Sequence, residues 1–518
     1  MRRAKQLLLH TSAMTATSLL MRTIALVFQV YVAGKIGAAG IGLFQLVMSV
    51  YTLATTVAVS GVRLAATRLI AQQTGRGDDA AIRRATGCAM GYAAFFGMAA
   101  LLLLYYLAPA AAAWVGDDRI ILSLRVLAFA LPFVAASGAM GGYFIAMHQS
   151  VKMSLVQLSE QFIRIGCTVL ALLRLGGYGL EYACGLEYAC GALTLGMLAS
   201  EVFSFLALLL LLLASLPRRK GRCRTSMLRS LLRITVPLSL SSYARSALST
   251  AQHLLVPRGL RLFGGGAQAA LAAYGVIQGM SLPILLFPAA LIAVIADLIV
   301  PELTEAQVQG RLRGLGYMLE RLYRLGLFFS MAVAGACFFF AHPLGELIYS
   351  EPAAGQYIRL LAPLVPIMYM DTLVDGMLKG VGEYRANMRY NIIDAATGLL
   401  LVWLLLPRYG VAGYLFSISA TELLNFALSA ARLTRVTVFR LQPLCWLLTA
   451  AAAVGGWWLL RLIFGRLLSR TGQPLILLLL VFLYLACYGA ALLLCGALRR
   501  EELSWLFSLL RGEKSPKT

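Results

Sequence analysis

Apolar runs of about 20 residues, the length needed to cross the hydrocarbon core as a helix, recur along the chain between short polar breaks. They fall at 9–33, 42–62, 86–108, 121–147, 153–174, 192–214, 232–256, 270–300, 325–341, 357–379, 389–406, 411–431, 443–464 and 474–498. Backbone inside a bilayer must satisfy its own hydrogen bonds, and the breaks are too short for barrel hairpins with alternating faces, so the runs predict helices. The expected fold is an all-α polytopic membrane protein with fourteen transmembrane helices.

Composition agrees. Of 518 residues, 60% are hydrophobic and 13% charged, and the mean hydropathy is +0.80. A soluble fold of this size needs more polar cover. The N-terminal run is longer than the core of a signal peptide and contains Arg22, so it reads as a retained first span.

The formal charge of +23 would suggest nucleic acid in a soluble protein. Here the excess follows loop position instead. With the N-terminus inside, 31 Lys and Arg fall in cytoplasmic segments and 11 in outward ones. That bias places both termini in the cytoplasm, and an even span count agrees. No basic run is interleaved with aromatics, so no nucleic-acid partner is expected. The nine cysteines form no CxxC pair, which excludes a disulfide scaffold and a thiolate zinc site of usual spacing. The four histidines are scattered, and no metal or cofactor is expected.

The first twelve spans contain an internal repeat. At an offset of 234, Arg125 pairs with Arg359, Leu127 with Leu361, Ala128 with Ala362, Pro132 with Pro366, Gly142 with Gly376, and Glu160 with Asp394. At 221, Ser-Glu-Val-Phe-Ser-Phe (200–205) pairs with Thr-Glu-Leu-Leu-Asn-Phe (421–426), so Glu201 matches Glu422. At 223, Arg22 matches Arg245. Six spans is an even number, so both copies enter from the same side as a parallel repeat. The expected organisation is two pseudo-symmetric six-helix lobes around a central cavity, with alternating access by rocking. The N-lobe is 1–214, a basic cytoplasmic linker 215–231, the C-lobe 232–431, two appended helices 443–498, and a cytoplasmic tail 499–518. A local duplication, Gly-Leu-Glu-Tyr-Ala-Cys at 179–184 and again at 185–190, reads as an insertion lengthening an outward loop.

Three stretches carry a family resemblance: Gly37-Ala-Ala-Gly-Ile-Gly-Leu-Phe-Gln (37–45), Ser60-Gly-Val-Arg-Leu-Ala-Ala-Thr-Arg-Leu-Ile-Ala (60–71) and Gly376-Met-Leu-Lys-Gly-Val-Gly-Glu (376–383). With the repeat, they resemble the multidrug/oligosaccharidyl-lipid/polysaccharide exporter superfamily, in its polysaccharide-transporter branch. The resemblance covers essentially the whole chain. It implies a V-shaped cavity and outward flipping of an undecaprenyl-pyrophosphate-linked oligosaccharide or peptidoglycan precursor similar to lipid II. It also implies a cavity arginine in the first span, a place that Arg22 matches and Arg245 matches less securely.

Charged residues inside spans are the site candidates, because each costs about 2.5–3.5 kcal/mol at the bilayer centre on insertion scales. Arg22 and Arg245 each lie about 13 residues into a helix, near mid-depth at 1.5 Å per residue. A guanidinium forks onto phosphate oxygens and keeps its charge, so two suit a pyrophosphate. The alternative is a structural pair with an intramembrane carboxylate. Glu160 and Arg164 share a helix face, either in the substrate cavity or as a self-neutralised pair. Asp394 has Gly398 where Glu160 has Arg164, so it needs another partner or a cation.

Asp371 and Asp375 also share a face, and at least one of two such like charges must be protonated or paired. With Asp394 they are candidates for coupling to H+ or Na+. The alternative is pairing with Arg245 or Lys379. Asp297, near a helix end, reads as a cap or interfacial salt bridge. Glu201 and Glu422, shared by both lobes, read as architecture. Gly138-x-x-x-Gly142 and Gly376-x-x-x-Gly380 read as close helix contacts. The run 218–224 reads as a topology determinant touching anionic lipid.

No GxxxxGK[ST], HExxH or GxSxG occurs, and no nucleotide domain or acidic catalytic loop is present, so an enzyme or an ATP-driven pump is not expected. The competing function is cation-coupled multidrug or small-solute efflux. Such pumps usually have twelve spans and an acidic cavity, whereas fourteen spans and cavity arginines favour an anionic lipid-linked glycan. The cycle would be reset by Na+, by H+ or by the membrane potential, which is worth about 2.3 kcal/mol per charge per 100 mV. The expected partners are the glycan lipid and membrane lipids, and the expected state is a monomer.

Overall fold

The computed structural model describes residues 2–59, 61–75, 78–147, 149–175, 183–216, 227–264, 266–309, 312–439, 442–468 and 472–496, and every regular element in them is helical. Most of the linker run 218–224 and the tail 499–518 lie outside the described residues, as does the Asp297 side chain.

The first compact unit is Met1–Gly275 with Ala395–Tyr414. It holds α1 (Arg2–Val59), α2 (Val62–Gly75), α3 (Asp79–Val115), α4 (Ile120–Ala128), α5 (Leu131–Ala146), α6 (Ser150–Leu175), α7 (Ala183–Ser215), α8 (Met227–Leu262) and α9 (Ala267–Gly275). The second unit is Val276–Asp394 with Leu415–Thr518. It opens with a π-helical turn (Val276–Ser281), then α10 (Leu282–Leu286), α11 (Ala289–Val308), α12 (Leu312–Phe339), α13 (Ala341–Tyr349), α14 (Pro352–Leu361) and α15 (Val365–Gly380). The helix α16 (Tyr384–Val436) contributes to both units, and α17 (Pro443–Leu468) and α18 (Pro474–Leu494) follow.

Among the described residues, ten helices are long and apolar enough to cross a membrane, or eleven if α4 and α5, bent by 43°, make one span. Two apolar segments are far longer than one crossing: Leu20–Gly75 has 56 residues and α16 has 53. Each contains a glycine with positive φ, Gly37 (69°) in α1 and Gly410 (55°) in α16. Only glycine adopts that geometry without strain, so these positions break the helical run where the sequence predicts a short loop between two spans. The eighth predicted span, 270–300, is divided among α9, the π-helical turn, α10 and α11. Pro283 and Pro288 lie at those divisions, where a missing N–H and a ring clash interrupt the ladder. The seventh, in α8, is rich in Ser and Thr and is not among the ten.

Two sequence readings change. The polar linker near 63–85 is largely helical, because Val62, Ala65, Ala66, Leu69 and Ile70 form a buried stripe at helical spacing on α2. The second copy of the six-residue duplication is the start of α7 rather than loop. Its Ala189 and Cys190 are buried, and Leu, Glu and Ala are strong helix formers.

The glycine pairs do make close helix contacts. A Cβ on Gly142 of α5 would sit 2.7 Å from the Arg63 carbonyl and 2.8 Å from Ala66 Cβ on α2. A Cβ on Gly380 of α15 would sit 2.8 Å from Leu303 Cβ on α11. The Thr67 hydroxyl donates to the Gly142 carbonyl (3.2 Å), and the Thr304 hydroxyl to the Gly380 carbonyl (2.8 Å). These matching contacts pair Gly142 with Gly380, one helical turn from the 234-residue register. Residues four apart share a face, so either register preserves the apolar pattern. Gly142→Val or Gly380→Val is expected to cost about 1–3 kcal/mol by overpacking, read as a lower unfolding temperature in detergent. Gly75→Ala, with nothing within 4 Å of its Cβ, should lower nothing.

Candidate functional site

In the first unit, a cavity of about 430 Å³ opens between both halves of α1 and the middles of α6 and α7. Its lining is mostly apolar, with Gln29, Gln45, Gln161, Arg164 and Thr168 as polar points. Gly196 lets α7 lie directly on α6, since a Cβ there would overlap the Thr168 hydroxyl. That close approach brings α7 carboxylate and hydroxyl groups to Arg164. The guanidinium is 2.6 Å from Glu160 Oε1 and 3.6 Å from Glu201 Oε1, and its Nε donates to Ser200 Oγ at 3.2 Å. Tyr51 and Thr55 of α1 stand beside this triad. Thus Glu160, Arg164 and Glu201 form one partly buried cluster, with one cation serving two carboxylates.

Arg22 and Arg245 are exposed, and neither makes a hydrogen bond or ion pair with a described residue. Arg22 lies one turn before Ala25 on the same side of α1 that lines the cavity with Ala25, Phe28, Gln29 and Val32. Arg245 adjoins Ser246, whose hydroxyl meets Thr56 of α1 at 3.3 Å. Near it, Tyr243 donates to the Val57 carbonyl (3.4 Å) and Thr250 to the Ser49 carbonyl (3.0 Å), so α8 runs beside the second half of α1.

The second unit gathers a different set. Asp371 and Asp375 point from α15 toward two stripes of α16: Asn387, Asn391 and Asp394 before its glycine break, and Glu422, Asn425 and Ser429 after it. Asn425 donates to Asp371 (2.9 Å), Asn391 to Asp375 (3.4 Å), and Ser429 to Asp375 (3.3 Å). Asn391 also donates to Asn387 (2.9 Å). Asp375, Glu422 and Asp394 all lie near enough to act on the Asp371 charge, and Asp394 acts on Glu422. No described residue gives an ion pair to Asp371, Asp375 or Glu422, and the second Asp371 oxygen is buried without a hydrogen-bond partner.

The two clusters occupy corresponding places in the repeat. Where the first has Arg164, the second has Gly398, against which Gln252 of α8 packs. Without that guanidinium, Glu422 has no ion pair with a described residue and lies near the Asp394 charge. Sequence reasoning singled out the carboxylates Asp371, Asp375 and Asp394 but passed over Asn387, Asn391, Asn425 and Ser429 and read Glu422 as architecture. The signal for them was present as polar residues recurring on one helix face, 387, 391 and 394, then 422, 425 and 429. Among the described residues, no three His, Cys, Asp or Glu side chains are close enough to chelate a metal ion together.

Solved multi-pass membrane proteins share the helical fold of the described residues. Lipid II flippase MurJ in an inward closed conformation superposes with a TM-score of 0.65 at 12% identity, covering 92% of this chain and 97% of that one. An inward-facing multidrug resistance MATE family transporter of the MOP superfamily gives 0.59 at 16%, covering 81% and 95%. The chain belongs to the polysaccharide biosynthesis protein family, whose signature matches residues 7–299. Among curated relatives, stage V sporulation protein B of Bacillus subtilis (strain 168) is 25% identical over 84% of this chain and 85% of its own. Lipid II flippase MurJ of the same organism is 25% identical over 171 residues, 31% of either chain.

Proposed function

We propose that this protein flips a lipid-linked glycan precursor, an undecaprenyl-pyrophosphate oligosaccharide or a lipid II-like peptidoglycan precursor, outward across the bacterial plasma membrane. Family membership and the flippase and sporulation relatives support the class. The observation that carries the substrate chemistry is that Arg22, in an apolar span, and Arg245, in the predicted seventh span, have no counter-ion among the described residues. A permanent cation at membrane depth is costly unless an anion joins it, and a planar guanidinium fork suits pyrophosphate oxygens. Arg164, held by two carboxylates and a serine, and Glu160 shape the cavity wall for the sugar and its phosphates. The reading includes fourteen spans, two six-helix lobes that rock for alternating access, two appended helices, cytoplasmic termini and a monomer.

Asp371, Asp375 and Asp394, with Glu422 and the neighbouring amides, couple the cycle to a proton or a monovalent cation. Amides and hydroxyls solvate such a charge, and no described residue gives an ion pair to Asp371, Asp375 or Glu422. The same cluster favours the second reading, cation-coupled efflux of a drug or small solute.

The test is functional replacement of the lipid II flippase in bacteria depleted of it. Wild type restores externally accessible precursor, and a well-expressed Arg22→Ala, Arg245→Ala double variant does not. Rescue by both removes the arginines from the site. No rescue by inserted wild type, with lowered drug sensitivity, favours efflux.

A further inference from the structure

A second concavity, about 610 Å³, lies on the first unit between the end of α3, the second half of α8 and the segment of α16 before Gly410. Small residues form its depth, Ala251 and Ala396, and large ones its walls, Trp114, Leu255, Leu400 and Trp403. Beneath it, Gly398 lets Gln252 press against α16 and closes the two helices together. Both tryptophans are more than half exposed, at 56% and 62%, although they sit on helices that cross the membrane. Neither indole N–H has a hydrogen-bond partner among the described residues. Hydrocarbon therefore fills this groove, and its shape fits a chain rather than a flat lipid-facing wall.

Charge at one end defines the occupant further. Leu248, Ala251 and Leu255 are the α8 wall, and Arg258 continues that face one turn beyond Leu255. Arg258 is exposed and makes no hydrogen bond or ion pair with a described residue. Arg408 of α16 is likewise exposed and makes no hydrogen bond or ion pair with a described residue, and Leu406, two residues before it, packs on Gly259 beside Arg258. The remaining two cations at this end are engaged. Arg261 donates to the Gly116 carbonyl at 3.0 Å. Arg119 forks onto Asp117 at 2.8 and 2.6 Å. Burial pushes the Asp117 carboxyl up, but the Arg119 fork outweighs it and holds that carboxyl below its usual range. Two unengaged guanidiniums at the mouth, Arg258 and Arg408, match an anionic headgroup. Two indole donors set just inside match ester carbonyls, which belong below the phosphate of a glycerophospholipid and are absent from a polyprenyl phosphate. Tryptophan commonly serves this level of the bilayer, with an apolar body and a polar edge.

We infer that this groove holds one anionic glycerophospholipid, its phosphate on Arg258 and Arg408, its ester region at Trp114 and Trp403, and one acyl chain over Ala251 and Ala396. By the charge bias of the loops the mouth faces outward, so the lipid belongs to the outer leaflet. The inference is independent of what the protein transports.

The test uses the purified full-length protein, delipidated and given equal amounts of dioleoyl phosphatidylglycerol and dioleoyl phosphatidylcholine, with bound lipid read by native mass spectrometry. Wild type is expected to retain one phosphatidylglycerol with at least about fivefold preference, the scale of one arginine near an anionic headgroup. Arg258→Gln should lower that preference, and adding Arg408→Gln should retain the two lipids equally. Ala251→Trp with Ala396→Trp should fill the groove and release both. Arg258 is exposed, so its variant reads headgroup choice even where the filled groove fails to fold. Absence of preference in wild type, or preference unchanged in Arg258→Gln, overturns the inference. So does displacement of the phosphatidylglycerol by an equal amount of undecaprenyl phosphate, which would assign the groove to an isoprenoid chain.

Discussion

Arg164→Gln is expected to be among the most destabilising single changes in the chain. Its guanidinium contacts Glu160, Glu201 and Ser200, and side-chain exposure in the triad is only 16–25%. Removing the one cation leaves two carboxylates facing each other at membrane depth. Breaking a buried pair costs about 3–5 kcal/mol, and partial exposure places this site at the lower end. The measurement is thermal unfolding in detergent with the yield of inserted protein. A double change, Arg164→Gln with Glu160→Gln, should recover much of the loss, because one charge of the pair is then gone. If Arg164→Gln alone unfolds like wild type, the triad does not hold α6 to α7.

The second large effect is expected at the acidic cluster. Asp371→Asn keeps the shape of the side chain and removes one charge from a group including Asp375, Asp394 and Glu422. Transport driven by an imposed Na+ or proton gradient should fall by at least about tenfold, the scale of one lost charge-assisted contact at a site that must bind and release a cation. Stability should hold or rise, because mutual repulsion is relieved. Asp394→Asn should act in the same direction. This pairing of lost coupling with kept stability distinguishes an ion site from a structural one. Full gradient-driven transport in folded Asp371→Asn would remove these residues from coupling.

Much of this fold was legible because the bilayer is a severe solvent. Runs of apolar residues have to be helices, and an arginine or aspartate within one has to have a reason. The φ-positive glycines inside α1 and α16, Gly37 and Gly410, lie at predicted breaks, where no other residue turns so easily. Alternate helix faces were less legible. The α2 segment looked like a polar linker because its buried stripe is carried by alanines among arginines. The register of the repeat slid by one turn between Gly376 and Gly380, since either leaves the same face apolar. The site was legible in its charges and less so in its solvation. Glu160 with Arg164 follows from i, i+4 spacing, but the arrival of Glu201 depends on Gly196 and the approach of α7, a tertiary event. In the second cluster, the carboxylates stand out in any hydropathy trace, while Asn391, Asn425 and Ser429 become ligands only when α15 meets both halves of α16.

The account stands or falls on movement of a pyrophosphate-linked lipid through this protein. The direct measurement reconstitutes it in vesicles holding a labelled undecaprenyl-pyrophosphate oligosaccharide in the inner leaflet, then follows exposure to an impermeant glycosidase outside. Wild type should expose the label at a rate raised by an ion gradient, and Arg22→Ala with Arg245→Ala should reduce that to the protein-free rate. Exposure equal in wild-type and protein-free vesicles, with the protein inserted and folded, would contradict the account.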